Sequence, residues 1–164
     1  MKIRKIQINV EEFSGGEPLP DPDKKLLAAA QQTISTSYAP YSGFHVGAAV
    51  YLANGQIITG SNQENAAYPS GLCAERVALF YANSRYPGIE VEAIAISARA
   101  DNFAVDYPVA PCGACRQVLA EIEMRQKKKI RIIMHGQNGF TQVVNGIENL
   151  LPLMFSEEKL KRSK

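Results

Sequence analysis

Apolar and polar residues alternate through Ile6, Ile8 and Val10, and this period of two predicts a strand over residues 2–12. Ser14 to Pro20, rich in Gly and Pro, reads as a connector. Asp21-Pro22 predicts a helix start, with Asp21 as the cap and Pro22 at the first helical position. Leu26, Leu27, Ala30 and Ile34 then form a helical stripe to about Tyr38, which Ala39-Pro40-Tyr41-Ser42-Gly43 breaks. Phe44 to Leu52 alternates again, and Asn54-Gly55 is a hairpin dipeptide, so Gln56 to Ser61 is the return strand. Asn62 to Leu72 shows no period. Cys73 to about Asn83 is expected to be helical, with Val77, Phe80 and Tyr81 packing inward. Val91 to Ser97 is a nearly continuous apolar run, as in a central buried strand, and Asp101 to Ala110 is a loop. A further helix is expected from Cys112 to about Arg125, with Val118, Leu119 and Ile122 inward. Ile130 to Met134 and Phe140 to Val144 form strands joined at Asn138-Gly139. Pro152 interrupts a short apolar segment, and Glu157 to Arg162 predicts a last helix.

A hairpin followed by strand–helix units predicts an α/β fold with a mixed sheet and helices on both faces. No repeat marks a second domain. Residues 1–22 read as an N-terminal strand and connector, and residues 23–164 as a single domain, a length that suits one full core.

Composition changes this picture little. Hydrophobic residues make up 46% of the 164, which indicates a folded chain. A net charge of +2 is too small to imply a nucleic-acid surface, and the run Lys127-Lys128-Lys129 reads as a solvated helix end. No apolar run approaches a membrane span, and the interrupted start is no signal peptide. Three cysteines, none spare for a disulfide, point to a reducing cytoplasm.

The chemistry lies in those cysteines. Cys73-Ala74-Glu75 and, much later, Pro111-Cys112-Gly113-Ala114-Cys115 read C-x-E and P-C-x-x-C. Three thiolates give zinc three of four ligands and leave the fourth position for water, as at a catalytic site; a structural site closes with a fourth Cys or His. His45 and His135 stand in strand-like runs without ligand spacing and read as sheet residues. Glu75, not needed as a ligand, can move protons on that water. Residues i and i+2 of a helix point apart, so Cys73 and Glu75 can share a site only beyond a helix end. Two helix N-termini facing each other would also favour ionised thiols.

The two motifs match the signature of zinc deaminases in its three-cysteine form. With YAPYSGFHVGAA (38–49), NQENAAY (62–68), CAERVALF (73–80), PCGACRQVL (111–119) and LLPLMF (150–155) in order, the chain from about residue 23 to 160 resembles the homotetrameric cytidine deaminases. The resemblance implies a three-layer α/β/α sandwich around a mostly five-stranded mixed sheet, with the N-terminal strand as an addition. It implies one Zn²⁺ per subunit and hydrolytic deamination of cytidine and deoxycytidine to the uridines in pyrimidine salvage. By the same resemblance Cys73, Cys112 and Cys115 hold the zinc and Glu75 shuttles protons. Asn62 and Glu64 hold the sugar hydroxyls, Phe44 and Ala74 also contact substrate, Arg76 tunes the ligand sulfurs, and Phe155 enters a neighbouring subunit's pocket. Residues 1–22 are longer than the usual family start. Rival readings are a deaminase of a nucleoside-like antibiotic such as blasticidin S, a base editor of nucleic acid, and a binding module with structural zinc. The N-Q-E-N stretch favours a ribose, and no basic and aromatic cluster for nucleic acid is evident.

Overall fold

The strand β2 (Phe44–Leu52) carries two apolar faces, and this sets the layers of the molecule. The computed structural model describes residues 1–14 and 17–156. Ala48, Val50 and Leu52 point to one side, where they pack with Ala78, Leu79 and Ala82 of α2 (Ala74–Arg85) and Leu119, Ala120 and Ile122 of α3 (Gly113–Gln126). Ala49 points the other way, into a second cluster with Leu26, Leu27 and Ala30 of α1 (Asp21–Thr33). Among the described residues one helix thus covers one face of the sheet and two cover the other.

The sheet contains, besides β2, strands β1 (Glu11–Phe13), β3 (Ile57–Ser61), β4 (Val91–Ala100), β5 (Arg131–His135) and β6 (Thr141–Asn145), in the order β1-β6-β5-β4-β2-β3. Among the described strands only β4 and β5 are parallel, as their connection through α3 requires; the other pairs are antiparallel. The β2–β3 hairpin closes through Asn54-Gly55, where Gly55 adopts φ +82°. Five strands plus an N-terminal edge strand is the expected α/β arrangement.

Three local expectations are corrected. The N-terminal strand is three residues long, not eleven. Glu11 pairs with Val143, so the chain before it faces only Val144 and Asn145 before β6 ends. Ile6, Ile8 and Val10 are exposed, and Asn9 is held by its N–H donating to Asn149 Oδ1 at 2.9 Å. Helix α1 begins with Pro20 at the cap position, and Pro22 stands second rather than first. Asp23 turns inward to Arg131 Nε at 2.9 Å, and the helix ends at Thr33 in a 3₁₀ turn, Ile34–Thr36, before Tyr38.

The third correction concerns α2. Its inward face is Ala74, Glu75, Ala78, Leu79 and Ala82, while Phe80 and Tyr81 are 47% and 56% exposed. The cause is the closeness of α2 to the sheet. A Cβ on Gly60 of β3 would lie 2.6 Å from the Ala78 nitrogen and 2.9 Å from the Ala74 carbonyl oxygen. Only small residues, Ala74 and Ala78, fit where the helix backbone meets β3, and Phe80 and Tyr81 stand outside that contact. In α3, by contrast, Leu119 and Ile122 are buried and Val118 is half-buried, as expected.

The lysine run begins with a left-handed cap at Lys127 (φ 55°), and Lys128 reaches Glu90 and Glu92 at 2.8 Å each. Among the described residues no helix is long and apolar enough to cross a membrane. The helix expected at Glu157 to Arg162 lies outside the described residues.

Candidate metal centre and substrate cavity

Cys73 and Cys112 occupy the cap positions of α2 and α3, with extended backbones (φ −70°, ψ 152° and φ −64°, ψ 167°). Their carbonyls already accept the first helical bonds, from Val77 N–H at 3.1 Å and Arg116 N–H at 2.9 Å. Their side chains therefore lie beyond the helix ends, and this lets an i, i+2 pair such as Cys73 and Glu75 serve one place. Cys115 adds a third sulfur from the first turn of α3. The Cys73–Cys112 and Cys112–Cys115 sulfurs are 3.6 and 3.5 Å apart, and all three lie within 4.8 Å of one another.

This donor set fits zinc. Tetrahedral Zn–S bonds of about 2.3 Å place sulfurs about 3.8 Å apart, close to the observed separations. The two helix N-termini contribute partial positive charge. Interaction with the Cys115 thiol, then with Arg76 and Cys112, pulls Cys73 down to about 5 against burial. Cys115, buried and facing the Cys73 sulfur, is pushed up. Arg76 Nη2 donates to Cys73 Sγ at 3.5 Å, while its Nε is buried without a protein partner. Among the described residues no fourth Cys, His or acidic group joins the cluster. His45 instead bridges Ser37 Oγ (2.6 Å) and Asp101 (3.1 Å), and His135 bonds Thr141 Oγ1 (2.8 Å) inside the sheet.

Glu75 is 5% exposed. Burial raises its carboxyl above the ordinary range, and the Cys73 sulfur adds to that; its own N–H and the Cys115 thiol oppose it. A carboxyl so placed holds a proton more readily than an exposed one, which suits it to proton transfer.

Beside Cys73 and Arg76 opens a cavity of about 470 Å³, also lined by Asn62, Glu64, Tyr41 and Ser42. Backbone bonds pin the stretch carrying Asn62 and Glu64 on both sides: Tyr38 N–H to Asn62 O, Glu64 N–H to Tyr38 O, and a reciprocal pair between Gln63 and Leu72. Asn62 behaves as one more rung of β3. Its Oδ1 accepts from Val46 N–H and its Nδ2 donates to Phe44 O, each at 2.8 Å, which leaves one donor and one acceptor position free for a ligand.

The other expected site residues lie elsewhere. Phe44 stacks on Phe103 (centroids 6.3 Å, planes 23° apart) and packs on Ala98, Ala100 and Val105. The Ala74 side chain is fully buried in the core. Phe155 is 56% exposed, with its carbonyl held by Gln117 Nε2 at 3.1 Å. Sequence reasoning missed Tyr41, Ser42 and Tyr68; the Tyr41 and Tyr68 rings meet edge to face at 6.3 Å in the cavity wall. The signal was the Tyr41-Ser42-Gly43 break, which reads locally as a mere helix stop.

Three comparisons bear on this site. The family model for the cytidine and deoxycytidylate deaminase zinc-binding region matches residues 20–139. A cytidine deaminase of Halalkalibacterium halodurans is 39% identical over 135 residues, covering 82% of this chain and 95% of its own length. One from Sporosarcina psychrophila is 39% identical over 138 residues, 84% of this chain and 93% of its own. The solved cytidine deaminase of Burkholderia pseudomallei superposes with a TM-score of 0.70 at 39% identity, covering 80% of this chain and 98% of its own. Three sulfurs at two helix ends, a buried carboxyl beside them and this match over most of the length agree: the chain belongs to the cytidine and deoxycytidylate deaminase family of zinc-binding proteins.

Proposed function

We propose that the protein hydrolyses cytidine and 2′-deoxycytidine to uridine and 2′-deoxyuridine, releasing ammonia, with one zinc per subunit. The observation that carries this reading is the open set of three sulfurs with the buried Glu75 carboxyl beside it. The names of the relatives support it. When bound by Cys73, Cys112 and Cys115, zinc supplies a Lewis acid that makes water a nucleophile near neutral pH.

The chain's own groups do the rest. Glu75 takes the first proton from the attacking water and hands it to ring N3, then takes the second from the hydroxyl now on C4 and delivers it to the departing amine, so that C4=O forms as the C4–N bond breaks. Its burial favours this by bringing the proton's affinity for the carboxylate closer to that for water and amine. Arg76 draws charge from the Cys73 sulfur and offsets three thiolates. Asn62 and Glu64 hold the sugar. Ala74 can contribute only backbone, since its side chain is in the core. Phe44 forms the wall behind the strand start, and Phe155, exposed in one subunit, closes the pocket of a neighbour in a homotetramer. We assign the enzyme to pyrimidine salvage in the cytoplasm, with residues 1–22 as an appendage to the domain formed by 23–164.

Free nucleosides are the expected substrates. Among the described residues lining the cavity, Arg76 is the one cation, and it is engaged with Cys73. Nothing there neutralises a 5′-phosphate. The test is the absorbance change on adding cytidine, deoxycytidine, CMP and blasticidin S to zinc-loaded protein, with light scattering on the same sample. Turnover of both nucleosides with poor use of CMP is expected. Turnover of blasticidin S alone overturns the reading, and a fully active monomer removes the shared pocket.

A further inference from the structure

Glu64 is held by three hydrogen bonds from the turn in front of β2. Its Oε2 accepts from Tyr41 N–H at 2.9 Å and Ser42 N–H at 3.3 Å, and its Oε1 accepts from Ser42 Oγ–H at 2.5 Å. The Ser42 oxygen in turn accepts from Phe44 N–H at 3.0 Å, so its single proton is committed to Glu64. The turn itself is fixed. Gly43 has φ +62°, its N–H donates to Ala39 O and its carbonyl accepts from Asp101 N–H, both at 3.0 Å.

A carboxylate offers roughly four acceptor directions, and three are taken here. We propose that Ser42 is a positioning residue that orients Glu64 so that one acceptor direction on Oε1 remains for the cavity, and that the site thereby reads a single hydroxyl of the nucleoside sugar. The inference rests on the nucleoside reading above and adds to it the residue that sets how Glu64 meets the sugar. Ser42 also favours the ionised form of Glu64: its hydroxyl bond is the main influence lowering that carboxyl, with the Tyr41 and Ser42 amides assisting. An ionised Glu64 can only accept, so the sugar must donate.

The test uses the full-length, zinc-loaded protein and needs no turnover. Calorimetry gives the dissociation constants of uridine and 2′,3′-dideoxyuridine for wild type, Ser42→Ala, Ser42→Thr and Glu64→Ala. The ratio of the two constants isolates the hydroxyl-dependent part of binding. Wild type should show a large ratio, and Glu64→Ala should reduce it to what Asn62 alone supports. Ser42→Ala should lower it roughly 10–100-fold, in the range of one well-oriented bond to a charged acceptor, and Ser42→Thr should stay near wild type. If Ser42→Ala does not fold, Ser42→Cys, a poorer donor of similar size, should lower the ratio part of the way. A wild-type ratio in Ser42→Ala beside a collapsed one in Glu64→Ala overturns the role of Ser42 alone. An unchanged ratio in Glu64→Ala removes Glu64 from the sugar site and the proposal with it. A wild-type protein that binds neither uridine nor cytidine ends the nucleoside reading itself.

Discussion

Gly60→Ala adds one methyl group where β3 meets the first turns of α2, and the structure states what it meets. The new Cβ would sit 2.6 Å from the Ala78 nitrogen, 2.9 Å from the Ala74 oxygen and 3.1 Å from the Ala78 Cα, all backbone atoms. The closest contact falls about 0.8 Å short of the 3.4 Å at which ordinary contact begins. Helix α2 must therefore move as a body. Overpacking of this kind costs about 1–3 kcal/mol. The gain in chain stiffness from Gly to Ala opposes it by about 0.4–1 kcal/mol. A net loss of about 1–2 kcal/mol lowers the melting temperature by roughly 2–8 °C for a chain of this size. The same shift carries Cys73, at the cap of α2, away from Cys112, now 3.6 Å distant. A misplacement approaching 1 Å near the chemistry costs on the order of 100-fold in activity. The assays are thermal unfolding, retained zinc after dialysis against a chelator, and cytidine turnover. Because the clash is with backbone, adding Ala78→Gly should not restore either stability or zinc. A Gly60→Ala protein with wild-type melting and zinc retention, or one rescued by Ala78→Gly, would refute the reasoning.

Other substitutions separate the roles within the site. Glu75→Gln should abolish measurable turnover while metal analysis still finds one zinc per subunit; loss of the metal would show that Glu75 supports the ligands instead. Arg76→Gln should keep most of its zinc and lose roughly 10–100-fold in kcat/KM, and unchanged activity would mean that its contact with the Cys73 sulfur has no catalytic consequence. His135 lies in the sheet, and burial lowers its imidazole below the ordinary value. Its stabilising contribution is therefore present above about pH 6.5 and fades as pH falls through the folded value, because the unfolded chain takes up the proton first. His135→Gln should flatten the fall in melting temperature between about pH 6.5 and 5, and a curve parallel to wild type would contradict this.

What the sequence alone determined was whatever depends on near neighbours or on counting. The alternation of Phe44 to Leu52, the turn at Asn54-Gly55 and the apolar run Val91 to Ser97 fixed β2, the hairpin and β4, because side-chain period and turn conformation are local. Three cysteines with no fourth ligand implied an open metal centre, because coordination number is a matter of inventory. Distance across the fold decided the rest. Nothing near Phe80 and Tyr81 announces that Gly60, twenty residues earlier, draws α2 onto the sheet and leaves its aromatic positions outside. The alternation of Ile6, Ile8 and Val10 is genuine, yet a strand needs a partner, and β6 ends too soon to provide one. Ser42 looked like part of a helix stop, and Asn62 and Glu64, read as sugar-binding residues, gave no sign of what holds them in place. Their bonds to Glu64, to Phe44 and Val46, and to Tyr41 and Ser42 exist only because the sheet brings the turn before β2 against the end of β3, and hydrogen bonds form between neighbours in space, whatever their separation along the chain.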